Sequence, residues 1–244
     1  MGNEHGEWIM RGLAANDPGR LRTVEELEDY VEQVGFVPLF ASDLPGFSIE
    51  ERTSASAWWS EDPAEDPWLW RQQAADRGRV AYGKFFEGKA GFLSLRWLPY
   101  FANARRDGYD FDTLWDDGKA SNRARKIMEL FAAGEELFSW QVRQLAGFGP
   151  GGEKNFEGAV TALQMQSYLV IRDFRCRLNK QGLPYGWPVA VYTTPEARWG
   201  AAAVTAAYGE SPETSRRRIA DHLAARWSAA TDRQIRRIVG PGIL

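Results

Sequence analysis

The sequence predicts a mixed α/β (α+β) fold dominated by helices. Three observations carry that expectation. Helix-start signals, Thr23-Val24-Glu25-Glu26, Asp66-Pro67, Ser211-Pro212-Glu213 and Thr231 with Gln234, stand ahead of runs whose apolar residues recur at helical spacing. Two stretches, Arg79 to Leu95 and Leu169 to Tyr192, read as strand pairs closed by turns. A 44% hydrophobic share over 244 residues suffices for a sizeable core, in one domain or two small ones.

Residues 1–22, rich in Gly, Asn, Asp and Pro, read as a flexible leader without the apolar core and cleavage site of a signal peptide. The Thr23 hydroxyl then takes one free N–H and Glu26 reaches back for another, opening a helix with Leu27 and Val31 on one face that stops near Gly35. Phe36 to Phe40 is a short strand. Asp66 caps a helix through Trp68, Leu69 and Trp70. In the first hairpin Val80, Tyr82 and Phe86 favour strand, Glu87-Gly88-Lys89 supplies the turn, and Phe92 to Leu95 returns. The stretch from Asn103 to Asp117 is predicted at the surface because it is too charged for a core. Together these make residues 23–118 an aromatic-rich N-terminal segment with a β-hairpin.

From Ala120 the pattern changes. Ala124, Ile127, Met128 and Phe131 share one helical face. Ser139 is expected to cap a second helix bearing Val142 and Leu145, ended by Gly147. A third helix carries Phe156, Val160, Leu163 and Ser167. Leu169 to Arg175, a turn at Asn179 to Gly182, and Trp187 to Tyr192 complete a ribbon. Three helices closed by a two-stranded ribbon is the order of a winged helix, so residues 119–195 are predicted as a winged-helix-like domain. The tail, 196–244, is helical, with Ile219, Leu223, Trp227, Ile235 and Ile238 packed on the rest.

Composition excludes several classes. No run of about 18 apolar residues exists, so no membrane-spanning helix is predicted, and the cytosol is the default location. The lone Cys176 rules out an intramolecular disulfide and any multi-cysteine metal site. The two histidines, His5 and His222, lie in the leader and on an arginine-rich tail helix, which leaves no basis for a Ser-His-Asp triad or a histidine zinc site. No cofactor is expected. Gly147 to Gly152 follows a helix and contains Pro150, so it is a turn rather than a phosphate loop. Net charge is −3, but its distribution is uneven: residues 1–70 carry −11 and residues 71–244 carry +8. That fits one polyanion-facing side, or an ordinary bipolar enzyme.

Two sets of residues stand out. Trp58, Trp59, Trp68, Trp70 and Trp97 crowd together in sequence with Tyr82, either as an aromatic core or as a cleft that stacks on a nucleobase or a cationic ring. Beside them Glu61 and Asp62 are candidates to place a water. Basic residues cluster on and after the first hairpin (Lys84, Lys89, Arg96, Arg105, Arg106), on the ribbon (Arg172, Arg175, Arg177, Lys180) and along the tail. Phosphate contacts are expected from the first two clusters. The third helix offers Gln164 and Gln166 but no Lys or Arg, unlike a typical major-groove recognition helix.

The runs Ala81-Tyr82-Gly83-Lys84-Phe85-Phe86-Glu87-Gly88-Lys89-Ala90-Gly91-Phe92 and Arg105-Arg106-Asp107-Gly108-Tyr109-Asp110-Phe111-Asp112 resemble the bacterial AlkZ-related family. So do Leu163 to Tyr168 and Pro184-Tyr185-Gly186-Trp187. The family name records a distant similarity to AlkZ and YcaQ, winged-helix DNA glycosylases that excise alkylated bases. The resemblance implies DNA as partner and, as an activity, hydrolysis of the N-glycosidic bond of a cationic alkylated purine. That chemistry needs a positioned water and stabilised sugar charge, for which carboxylates or amides suffice without histidine or metal. Those glycosylases carry an early Gln-x-Gln or Gln-x-Asp motif. Here Trp58 to Trp70 has no such pair; Glu61 and Asp62 are its nearest analogues, while Gln164-Met165-Gln166 lies much later. Asp62, Glu61, Gln164 and Gln166 are therefore the catalytic candidates. The alternatives are a non-catalytic winged-helix nucleic-acid-binding protein and a protein-interaction module.

Overall fold

The computed structural model describes residues 10–240; His5, the first nine positions of the expected leader and the last four of the tail lie outside the described residues. Helix α1 (Val24–Val34) opens as its sequence predicts, with the Thr23 hydroxyl accepting the Glu26 N–H at 3.3 Å. The Glu26 carboxylate reaches one residue further back than expected, to the Arg22 N–H at 2.7 Å. Residues 10–22 are not a free leader. The Leu13 N–H donates to the Thr53 carbonyl at 2.8 Å, the Leu21 N–H to the Arg52 carbonyl at 2.7 Å, and Leu21 is buried, so this segment is docked by two backbone bonds and an apolar anchor.

Strand β1 (Phe36–Pro38) follows directly, and helix α2 (Pro67–Arg77) starts at the Asp66 cap. The Asp66 carboxylate accepts two N–H groups, from Trp68 at 2.9 Å and Trp59 at 3.0 Å. Strands β2 (Val80–Phe86) and β3 (Lys89–Ser94) form the hairpin. Glu87 and Gly88 both take positive φ, 52° and 76°, the two-residue turn whose twist matches the strands it joins. β1 adds to β3, giving an antiparallel sheet in the order β1-β3-β2. Gly91 makes that approach possible: a Cβ there would sit 2.5 Å from the Phe86 ring and 2.7 Å from the Pro38 Cα.

Helix α3 (Leu98–Arg106) corrects the expectation of a surface stretch, because Asn103, Ala104 and Arg106 are buried. The Asn103 amide donates to the Ala207 carbonyl (3.0 Å), the Glu210 carbonyl (3.1 Å) and the Ser215 hydroxyl (2.9 Å), tying α3 to the tail. Counting charges could not foresee this, since a buried polar group is tolerated wherever its partners wait for it.

The chain continues through α4 (Phe111–Asp116), α5 (Asn122–Met128), β4 (Leu137–Phe138), α6 (Ser139–Leu145), α7 (Phe156–Met165), β5 (Val170–Leu178) and β6 (Pro184–Thr193). The two-residue β4 was not foreseen. It pairs with β6 and makes a second antiparallel sheet in the order β4-β6-β5. Ser139 is the first residue of α6 rather than its cap; the Phe138 N–H is satisfied by the Gln141 side chain at 2.9 Å. The tail comprises α8 (Pro195–Trp199), α9 (Ala201–Val204), α10 (Pro212–Arg226) and α11 (Asp232–Val239), the last opened by a full Thr231–Gln234 capping box.

The fold is therefore mixed α/β and helix-dominated, with two small antiparallel sheets. One apolar cluster runs from Leu21 to Val239 and crosses the junction expected near residue 118. Phe174 of β5 packs 6.1 Å from the Tyr82 ring of β2, and Gln164 of α7 bonds the backbone of β2. Among the described residues no helix is long and apolar enough to cross a membrane.

Candidate nucleic-acid interface

The aromatic set that suggested a stacking cleft is mostly core. Trp70 is fully buried, with its indole N–H on the Ala64 carbonyl at 2.7 Å; Trp58 is buried with its N–H on the Thr53 hydroxyl at 2.9 Å; Tyr82 is buried as well. Trp68 is half-buried beneath the Arg71 guanidinium at 3.6 Å, and Trp97 is half-buried against His222 at 4.3 Å. Only Trp59 of the six is exposed, in a positive-φ conformation beside the Asp66 cap. The physical reason is area: rings of this size stabilise most when removed from water, and the buried indole N–H groups of Trp58 and Trp70 have found acceptors, whereas that of Trp97 has none.

Two arginines expected on phosphates are also internal. Arg106 is buried, paired with Glu196 at 2.5 Å and donating to the Ser167 carbonyl at 2.5 Å. Burial works against its charge, but Glu196 outweighs it and raises the guanidinium above its ordinary value. Arg105 donates to the main-chain carbonyls of Met165 (2.9 Å) and Ile238 (2.8 Å); with no carboxylate to compensate, desolvation lowers its pKa to about 9. Both clamp α3 to α7 and to the tail. Lys84 is partly covered and reaches Thr161 at 3.3 Å, Lys89 is exposed, and exposed Arg96 bonds the Glu32 carbonyl at 3.3 Å.

Of the catalytic candidates, Gln164 is fully buried. Its amide oxygen accepts the Lys84 N–H at 3.0 Å and its nitrogen points to the Val160 carbonyl at 3.4 Å, so it is a strut between α7 and β2. Gln166 ends α7 half-buried. Glu61 and Asp62 are exposed on the loop before α2, where one Asp62 oxygen accepts the Ala64 N–H at 2.9 Å. The structure does not bring the two carboxylates and the two glutamines into one site.

What it does assemble is a basic, aromatic surface on α6, the glycine turn and the ribbon. Every residue from 177 to 188 is exposed, including Leu178, Leu183, Tyr185 and Trp187, the last 90% accessible. Between Asp173 and Glu196 the sequence has no acid. Arg177 and Lys180 form no ion pair with a described carboxylate, and neither do Arg143 on α6 and Lys154 at the end of the turn. Arg177 lies 5.2 Å over the ring of Trp140, which links the ribbon to α6. Arg172 and Arg175, by contrast, are engaged by Glu136 at 2.9 and 2.8 Å, and further by Asp76 and Asp173. Burial raises the Glu136 pKa, but the bonds from Arg175 and Arg172 prevail and hold it below the ordinary carboxylate value. Sequence reasoning missed Arg143, Lys154 and Trp140, because only pairing with β4 shows that α6 flanks the ribbon.

A family model described as AlkZ related matches residues 21–240. The chain belongs to the AlkZ-related family. The match spans both sheets and the tail, so it covers the whole assembly rather than one motif. Comparison with curated proteins and with solved structures returned no match. Within this AlkZ-related chain the two sheets differ in character: β1-β3-β2 is buried against helices, while β6-β5 ends in solvent.

Proposed function

We propose that this AlkZ-related protein is a winged-helix DNA-binding protein of the DNA-repair type, gripping DNA with the β5–β6 wing and α6. The observation that carries the reading is the acid-free ribbon. It presents Arg177, Lys180 and the exposed Trp187 beyond a helix–strand–helix–helix–ribbon unit whose sheet order is β4-β6-β5. Cations without carboxylate partners are available to phosphates, and an exposed indole stacks on bases of any sequence. The family assignment supports a relation to DNA-repair proteins.

The burial of the Gln164 amide and its bonds to Lys84 and Val160 inside the fold favour a binding role over hydrolysis at that Gln-x-Gln motif. The solvated positions of Glu61 and Asp62 point the same way, since a water-positioning carboxylate works best where bulk water is excluded.

Fluorescence anisotropy with a labelled duplex, repeated across salt concentrations, tests the proposal. Neutralising four phosphates with Arg143, Lys154, Arg177 and Lys180 should give a log–log salt slope of roughly −3 to −4. No binding at low salt, or a flat response, would reject it in favour of a protein-interaction module. Base release from N7-alkylguanine DNA, above the spontaneous rate, would restore hydrolysis and direct attention to Asp62.

A further inference from the structure

A second concave region, absent from the sequence-derived candidates, opens between α4, the end of α5 and the start of α8. It has a volume of about 560 Å³, within the usual range for small-molecule sites. Phe111, Met128 and Phe131 line it with apolar surface, Trp115 adds an aromatic wall, and Asp112, Asp116, Glu129 and Glu196 contribute carboxylates.

The four carboxylates differ in what already satisfies them. Glu196 holds the buried Arg106, and Glu129 is paired with Arg125 at 2.6 Å. Asp112 and Asp116 have no ion-pair partner among the described residues. They lie four residues apart on one six-residue helix, where like charges repel. Asp116 also sits at the C-terminal end of α4, against the preference of a helix dipole for cations there. Asp112, in the first turn, suits the dipole, so the conflict is the i,i+4 repulsion and the placement of Asp116; both side chains are exposed, and a cation in the cleft relieves it.

The chemistry of that cation is indicated by Arg125. Its guanidinium lies 4.4 Å over the Trp115 ring, which marks the indole face as a surface that accepts a planar, delocalised positive charge. Arg125, which also lines the cleft, is partly exposed and tethered only by an i,i+4 pair, so a ligand of like charge can displace it from the ring. Among the described residues no group of three His, Cys, Asp or Glu side chains is placed to hold a metal ion, which argues for an organic rather than a metallic cation.

From these contacts we infer that the α4–α5–α8 cleft is a binding site for a small planar organic cation with an aromatic or apolar body, stacked on Trp115 and neutralising Asp112 and Asp116. The inference does not depend on DNA binding. The probe is benzamidine, with neutral benzamide as its isostere, titrated calorimetrically into the full chain. Benzamidine should bind at least tenfold more tightly than benzamide. Asp112→Asn/Asp116→Asn should weaken benzamidine at least fivefold with little effect on benzamide. Trp115→Leu should weaken both, and circular dichroism and melting serve to verify that each variant is folded. Equal affinity for the two probes overturns the proposal, as does benzamidine binding that the folded carboxylate variant leaves intact. Absence of binding at millimolar benzamidine overturns it as well.

Discussion

Asp66 shows how much one side chain can settle. Its carboxylate satisfies the Trp68 N–H at the start of α2 and holds the Trp59 N–H, which keeps the preceding loop in its positive-φ conformation. Replacement by Ala should cost about 1–2 kcal/mol by urea denaturation, within the range for lost caps, and Asn should recover most of it. Arg106 is a harsher case. Removing its guanidinium with Arg106→Met leaves Glu196 and the Ser167 carbonyl without their donor, and the expected loss is about 3–5 kcal/mol. A loss below about 1 kcal/mol would show the pair to be dispensable. The caps at Thr23, Asp66, Ser211 and Thr231 were legible in sequence because each is a bond between near neighbours. The roles of Arg105 and Arg106 were not, since their partners lie at least 60 residues away.

At the scale of elements, the ribbon separates stability from binding. Trp187 is exposed, so Trp187→Ala should leave the melting temperature within the small range of surface substitutions while weakening DNA about five- to a hundredfold, the loss expected for one stacked base. An unchanged affinity would remove the ring from the interface. The base of the ribbon behaves differently with pH. Because Glu136 is held below the ordinary carboxylate value of 4.5 in the folded protein, its stabilisation is complete above that value. It is lost as pH falls through the lower folded value. Melting temperatures taken from pH 6 downwards should therefore drop less steeply in Glu136→Gln than in the parent chain. The effect is small, because the pair is partly exposed. Parallel curves would assign the acid sensitivity elsewhere.

On the scale of the whole molecule, the decisive feature is that one core joins what the sequence divides. The charge asymmetry and the change of pattern near Ala120 suggest separate parts, yet α7 packs on β2 and the tail helices close over α3 and α1. Unfolding should be a single cooperative transition, with tryptophan fluorescence and far-ultraviolet circular dichroism superimposing. Two resolved transitions would mean that the shared core does not couple the halves.

The sequence by itself determined the helix starts at Thr23, Asp66, Ser211 and Thr231, the two hairpins, the helix-rich α/β class and the family, because these follow from short-range hydrogen bonds, hydrophobic periodicity and residue runs. Only the tertiary structure decided which aromatics and arginines face water. Trp70 and Trp187, or Arg106 and Arg177, are alike in composition and opposite in burial. Burial is set by partners distant in the chain, such as Glu196 for Arg106 and the β4 pairing that brings α6 beside the ribbon, and no local pattern encodes those meetings.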